Sequence, residues 1–417
     1  MERSSNFRIV NDPKGMERSS NFRIIKEVMK MAANDLSFEQ ISAILNEIVN
    51  AATGQTFTAP INTKDFVTQA QVGLKTGYDP LSTAINQVMS RTIFSERSYS
   101  GHFKSMMVDA LRFGNIVRKL NISDAEWEND NKFSLTDGES IDDFVVKKPK
   151  VLQTNFYGSN VYSDHVTIYK DQLDCAFSSP DELARFFSMV LNNINDRAVQ
   201  ARENLNRSCL TNLMGSCYQG GRVIHLVTAF NNISGGSLTP TSINAPENYK
   251  AFMQWLASYV ATISGLMTER SMEYHTNVTG YKVMRHTPYE RQKMYINAGT
   301  KFSMDSRVLA DAYHDNYIKL AANESVNFWQ DIKNPTDVTV DASYLKADGT
   351  VGNTGTIELN NVLGVIFDEE AAGTTEVNQW SMPTRMNASG GYTNHWYHFT
   401  DRYWEDDTEN ACLLLLD

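Results

Sequence analysis

The residues of this chain best able to do chemistry stand near its end. They are Asn394-His395-Trp396-Tyr397-His398, with Glu405, Asp406 and Asp407 a few positions on. On a helix, His395 and His398 would share a face and could bind zinc. The surrounding residues favour a strand instead, where side chains alternate. His395, Tyr397 and Phe399 then face one way, and Trp396 and His398 the other. The expectation is a half-buried aromatic strand, with metal binding at His395 and His398 as the alternative. The other six of the 8 histidines are isolated, with no Cys, Asp or Glu at ligand spacing. No phosphate-binding glycine loop, nucleophile elbow, paired-cysteine zinc site or calcium loop occurs. Cys175, Cys209, Cys217 and Cys412 are scattered and read as buried thiols of a reducing compartment. No catalytic, cofactor-binding or metal-binding residue is assigned, and the chain reads as a non-enzyme.

The bulk numbers fit a structural role. The 417 residues are 41% hydrophobic, enough for two or three structural units around a large core. A charged fraction of 21% argues against overall disorder. The formal charge is −11, from 38 basic and 49 acidic residues. Such a surface repels nucleic acid unless a basic patch reverses the sign, and none appears, so sequence-specific DNA binding is not expected. The N-terminus carries charge at once, with no signal-peptide core, and the longest apolar run, Ala411 to Leu416, is too short to span a bilayer. The expected product is soluble and stays in the cell that makes it. Residues 1–9 and 16–24 both read MERSSNFRI, so residues 1–15 read as a duplicated leader.

The elements that must position everything else follow from periodicity. Ser37 caps a helix whose stripe is Phe38, Ile41, Ile44, Leu45, Ile48 and Val49, ending at Gly54. Further helices are predicted over 81–94 and 102–113, and a strand over 115–120. Ser179-Pro180-Asp181-Glu182 is a strong helix start, with a capping serine, proline at the first helical position and an early glutamate. Leu183, Phe186, Phe187, Val190, Leu191, Ile194, Ala198, Ala201, Leu205 and Cys209 continue it as one stripe, with Gly215 as terminator. That makes a helix about 50 Å long. Pro246 opens another helix. Residues 334–361, rich in Asn, Thr, Gly and Asp, read as a surface hairpin or loop. Val362 to Phe367 is a buried strand, and the chain closes on strands at 392–400 and 411–416. Strands far apart in sequence point to an α+β build whose last strands return to an earlier sheet.

One stretch changes character. Between Asp124 and Asp143 stand eight acids and a single base, Lys132, followed at once by Lys147, Lys148 and Lys150. With the strand-like run Val161 to Tyr169, this reads as a long hairpin with one acidic arm and a basic far side. Two strands bury too little surface to be stable alone, so the hairpin must rest on something outside itself.

The order of these elements resembles the major capsid proteins of tailed bacteriophages, which share the Hong-Kong-ninety-seven fold, and most of all those of small short-tailed phages (podoviruses). The resemblance is carried by Ala84-Ile85-Asn86-Gln87, by Val108 through Arg118, by Phe156-Tyr157-Gly158, by the 179–215 helix and by Tyr392 to His398, across most of 60–417. It implies an N-terminal arm over 1–60 and a peripheral domain over 61–123, 166–240 and 371–417 around a spine helix, 179–215. It further implies an extended loop over 124–165 and an axial domain over 241–370. The extended loop would lie across a neighbouring subunit, with Asp137, Glu139, Asp142, Asp143, Lys147, Lys148 and Lys150 pairing between copies. Pentamers and hexamers would form an icosahedral head around double-stranded DNA, enclosed without sequence-specific binding. The implied partners are the chain itself, a portal, and scaffolding or head-decoration proteins, with no cofactor and no membrane. The implied location is the virion, assembled in the host bacterial cytoplasm.

Three rivals stand beside this reading: an encapsulin-like nanocompartment shell, another phage part such as a portal or tail protein, and a metal enzyme using His395 and His398. The spine helix is tested directly. Ala198→Pro is expected to cost about 3 kcal/mol or more, because it removes a helical hydrogen bond and clashes with the preceding turn. An unchanged melting temperature would mean the helix is misplaced.

Overall fold

The computed structural model describes residues 38–95, 103–107, 117–124, 135–140, 144, 146, 148–156, 159–302 and 323–417. The described residues open with helices α1 (Phe38–Thr53), α2 (Thr63–Thr76) and α3 (Tyr78–Ser95). Strands β1 (Val117–Ile122), β2 (Val151–Phe156) and β3 (Asn160–Tyr169) lead to helices α4 (Lys170–Ala176) and α5 (Pro180–Gln219). Next come β4 (Val223–His225), α6 (Leu226–Ser234) and α7 (Pro246–Leu266). Then follow β5 (Gln292–Asn297), β6 (Asn323–Val326), β7 (Val338–Val340), β8 (Tyr344–Leu345), β9 (Val351–Gly352) and β10 (Ile357–Leu359). The last strands are β11 (Val362–Asp368), β12 (Ala372–Pro383), β13 (Tyr392–Glu405) and β14 (Ala411–Leu415). This is the α+β mixture the sequence predicts. The duplicated leader and the rest of the arm before Phe38 lie outside the described residues, as does most of the helix predicted over 102–113; within it, Lys104–Met106 is a 3-10 turn.

The chain divides into two compact units, one of residues 1–98, 163–198 and 380–398, the other of 99–162, 199–379 and 399–417. In the first, α1 buries Ile41, Leu45, Ile48 and Val49 against Phe66 and Ala70 of α2 and Leu81, Ala84 and Ile85 of α3. Asn62 caps α2 by accepting the Asp65 N–H. Helix α2 has no counterpart among the predicted elements. Its buried stripe includes Gln69 and Gly73, too polar and too small to stand out as an apolar period.

The second unit is built on a five-stranded sheet of order β4-β14-β11-β5-β6. β14 pairs antiparallel with β11 and parallel with β4, so the chain end does return to an earlier sheet. Alternation along the strands feeds two cores. Met294, Ile296, Ile366, Cys412 and Leu414 pack with Phe252, Leu256, Val260 and Ile263 of α7. Tyr295, Val365, Phe367, Leu413 and Leu415 pack with Cys209, Leu210, Leu213, Met214 and Cys217 of α5. Every residue of β11 is buried. A separate three-stranded sheet has the order β12-β13-β3.

Three expectations are corrected. Helix α5 does not stop at Gly215 but runs on to Gln219, where Gly220 and Gly221 end it, the latter at φ +72°. Gly215 has a packing role instead: a Cβ there would lie 2.7 Å from both Ala342 Cβ and Val340 Cγ1. The 334–361 segment is only partly a surface loop. Its antiparallel β7–β10 ribbon buries Val338, Val340 and Leu359 in the core beside α5, while Thr339, Glu358 and the turns face outward. Of the four thiols, Cys209, Cys217 and Cys412 are buried while Cys175 is exposed.

Gly215→Ala inverts the usual helix preference. On an open helix the change gains up to about 1 kcal/mol; here the methyl meets two packed side chains and is expected to destabilise by about 1–3 kcal/mol. Chemical denaturation of the unassembled subunit measures it, and a stabilised variant would refute the close approach.

Candidate functional site

Strand β13 settles the disposition of the two histidines. Its burial alternates, with His395, Tyr397 and Phe399 on the buried face and Trp396 and His398 on the other. His395 lies 3.3 Å from Ser82 Oγ and 3.3 Å from Asn86 Oδ1. Burial pulls its pKa down to about 4, so it is a neutral histidine held by polar neighbours. His398 stacks on Trp380 with centroids 3.8 Å apart. Among the described residues, no group of three or more His, Cys, Asp or Glu side chains could hold a metal ion.

The acids after β13 serve ion pairs. Asp407 accepts from Arg222 and from the Ser216 hydroxyl through Oδ1, and from the Leu345 N–H at 2.6 Å through Oδ2. Burial, with Asp407 close by, pushes the Glu405 carboxyl up to about 8. Asp406 accepts the Thr408 N–H and hydroxyl on Oδ1, leaving Oδ2 for the Lys119 ammonium at 2.6 Å. Lys119 also bonds Glu409. Burial pulls the Lys119 pKa down, but Asp406 and Glu409 more than offset this and it stands raised.

Lys119 lies on β1, just before the predicted hairpin; β1 pairs antiparallel with β2, with Leu120 opposite Gln153 and Ile122 opposite Val151, and this pair is the root of the ribbon. The run Val161 to Tyr169, expected as the hairpin's far strand, pairs instead with β13 in the three-stranded sheet. Residues directly opposite share a face. The inner face carries Lys119 and Asn121. Asn121 is buried, donates to Thr408 Oγ1 and accepts from Arg285 at 2.7 Å. Beyond it, the Ser123 hydroxyl donates to Lys282 O, and Asp124 accepts from the Met284 N–H and from Arg270, both at 2.8 Å. Those donors, the Met284 N–H first, hold the Asp124 carboxyl below its usual range. The outer face is open and mixed: Leu120 is 60% exposed, Ile122 64% and Val151 46%, beside exposed Arg118, Gln153 and Asn155, with Val146 at 78% further along.

The hairpin is expected to rest on something outside itself, and its root does so on Arg270, Met284, Arg285 and the 406–409 turn. That root rests on its own unit through the polar contacts of Lys119 and Asn121, with Leu152, Thr154 and Phe156 of β2 half-buried on the same face. The alternation of Lys119, Leu120, Asn121 and Ile122 signals a strand, but the usual rule would put Leu120 and Ile122 on the core side. Of the predicted site residues, Asp137, Glu139, Lys148 and Lys150 are exposed. Glu139 accepts the Thr136 N–H, which lowers its pKa, and Lys150 donates to Gly280 O at 3.2 Å. Asp142, Asp143 and Lys147 lie outside the described residues.

A long capped helix, a rooted two-stranded ribbon and a sheet that recovers the chain end together make the Hong-Kong-ninety-seven capsid fold. The chain is similar to the capsid structure of Staphylococcus phage Andhra, at 12% identity over 75% of this chain and 83% of that one, with a TM-score of 0.51. It is also similar to a chain in the structure of head fiber and inner core protein gp22 of native bacteriophage P68 (11% identity, 76% and 85% covered, TM-score 0.48). A third likeness is to the capsid structure of the Cyanophage P-SCSP1u (13% identity, 75% and 87% covered, TM-score 0.41). No curated protein matches the sequence. The profile of Phi29-like phage major capsid proteins matches residues 41–415, and the chain belongs to that family. It is a structural major capsid protein, one of whose copies after another builds the icosahedral head.

The raised Glu405 carboxyl carries a pH dependence. Its folded pKa of about 8 lies above the ordinary 4.5, so the folded state holds a proton that the unfolded state releases. The resulting stability is full below pH 4.5 and is lost as pH rises through about 8. Glu405→Gln cannot lose that proton. Its melting temperature should match the parent's at acid pH and exceed it increasingly toward pH 8. A gap that does not change with pH would contradict the assignment.

Proposed function

We propose that the hairpin over 124–165 is this subunit's assembly arm and lies across a neighbouring copy in the head. The observation that carries this is the group of apolar side chains that the ribbon leaves exposed. Lys119 and Asn121 are engaged on the ribbon's own unit, while Leu120, Ile122, Val146 and Val151 stay exposed. Exposed apolar side chains grouped on one ribbon mark an interaction surface. The tip charges Asp137, Glu139, Asp142 and Asp143 and the bases Lys147, Lys148 and Lys150 then pair between copies. Each such exposed pair contributes about 0–1 kcal/mol, enough to set register rather than strength.

The remaining parts take roles on the same reading. Residues 1–60 form an arm that reaches other subunits. Residues 61–123, 166–240 and 371–417 form the peripheral domain around the spine helix α5. Residues 241–370 form the axial domain, which meets its copies as pentamers and hexamers. The subunit works without a cofactor and catalyses nothing. Its partners are itself, a portal, scaffolding or decoration proteins, and the packaged DNA. It assembles in the host bacterial cytoplasm and resides in the virion. A formal charge of −11 suits a wall that must enclose DNA without trapping it.

Deleting residues 138–150 removes the tip and spares the root contacts of Lys119 and Asn121. The expected product is a folded monomer, with the parent's circular dichroism, that forms no shells by negative-stain microscopy. Closed shells of normal size from that variant would overturn the role given to the arm.

A further inference from the structure

Two Asp-Gly pairs stand in the chain, Asp137-Gly138 and Asp348-Gly349, and no Asn-Gly pair. Such pairs are where a backbone reacts most readily with its own side chain, because glycine has no Cβ to shield its amide nitrogen. Both lie in exposed turns, and both glycines have a positive φ, +91° and +82°. The turns differ in where the glycine falls. The Glu139 N–H donates to Thr136 O at 3.0 Å, which puts Asp137 and Gly138 at the two centre positions of a type II turn. The Gly138 N–H then belongs to the middle peptide, which a turn of this kind leaves out of its own hydrogen bond. Among the described residues nothing accepts that N–H and nothing donates to the Asp137 carboxylate. A Cβ built on Gly138 would meet no atom within 4 Å.

Between β8 and β9 the glycine stands one place later. The Gly349 N–H closes the turn by donating to Lys346 O at 3.0 Å, and the Lys346 N–H donates to Thr350 O at 2.9 Å. Asp348 Oδ1 accepts the Thr350 hydroxyl at 2.6 Å and the Thr350 N–H at 2.8 Å. Those bonds, the hydroxyl's first, hold the Asp348 carboxyl below its usual range.

We propose that Asp137-Gly138 is a self-modification site, where the subunit converts an aspartyl linkage into an isoaspartyl one. The Gly138 nitrogen attacks Cγ of Asp137 in its protonated form. The N–Cγ bond forms, the Cγ–OH bond breaks, and the hydroxyl leaves as water with the amide proton. Water then opens the cyclic succinimide. Addition at Cγ restores aspartate; addition at the former backbone carbonyl breaks its bond to nitrogen and leaves the chain running through Cβ and Cγ. One water leaves and one enters, so no other reactant is needed. Asp348-Gly349 is held back on both sides, its N–H bonded and its carboxylate kept ionised, a poor electrophile. Isomerisation adds a methylene to the backbone of the turn that presents Asp137 and Glu139. A free subunit is thus marked by its age, and on the reading of the hairpin as an assembly arm the marked copy offers an altered tip.

The test keeps the full-length, unassembled subunit at neutral pH for weeks and digests it. Electron-transfer mass spectrometry reads each linkage, because it cleaves the Cα–Cβ bond of an isoaspartyl backbone. Isoaspartate at 137 should accumulate at least about fivefold faster than at 348, the factor that one net hydrogen bond supplies. None at 137, or as much at 348, would overturn the site. The same chain held unfolded in guanidinium should react alike at both pairs; a difference that persists there would mean that turn geometry does not set it. Asp137→Glu keeps the charge but must close a larger ring, so its signal should vanish, and a persisting one would refute the assignment. Closed shells give a separate readout. Slower isomerisation there than in free subunits supports a covered tip, whereas equal rates would count against the arm and leave the modification site standing.

Discussion

Lys119 is the contact on which the orientation of the ribbon depends. Its ammonium sits 2.6 Å from Asp406 Oδ2 and also bonds Glu409, both of them buried acids in the turn between the last two strands. Desolvating three charges is unfavourable, and a buried pair adds little net stability over apolar packing. Removing one partner, however, strands the others in a poor dielectric at a cost of about 3–5 kcal/mol. Such a cluster therefore specifies geometry more than it strengthens the fold. Because β1 alternates, fixing Lys119 and Asn121 inward fixes Arg118, Leu120 and Ile122 outward, and the register with β2 carries Val151 out with them.

The turn from Glu405 to Asn410 joins several of these demands. Asp406 and Glu409 hold the ribbon root; Asp407 holds Arg222 and Ser216 at the end of α5 and the Leu345 N–H. Asn410 bonds His275 and Thr287. A run of five consecutive buried polar residues, Asp406 through Asn410, is tolerable only because its members have partners. The acids that look like a catalytic or metal-binding cluster in the sequence are thus the junction between ribbon, spine helix and sheet.

The fold was legible wherever a long period could be counted. Helix α5 declared itself by its cap and stripe, β11 by an unbroken apolar run, and β13 by strict alternation that separated His395 from His398. What escaped has physical causes. Helix α2 packs through Phe66, Ala70 and Gly73, too few apolar groups to mark a face. Gly215 looks like a terminator because a glycine's need for close approach and its tolerance of a turn are the same letter in the sequence. The ribbon root escaped because its partners, Asp406 and Glu409, lie almost three hundred residues downstream of Lys119. No local pattern carries that pairing, and without it the apolar side of β1 is assigned to the wrong face.

The ribbon answers a problem particular to a subunit that must stay soluble before it assembles. On the proposed reading of the ribbon as an assembly arm, laying Leu120, Ile122 and Val151 down on its own chain would leave them nothing to offer a neighbour. Polar docking avoids this, because ion pairs and hydrogen bonds at the root hold direction without consuming the apolar side chains. The exposed edge carries Arg118, Lys148 and Lys150, charges of the kind that keep strand edges from pairing indiscriminately. On that reading each contact made by the free face can be modest, since a closed shell repeats it in every subunit and the combined hold far exceeds any single one.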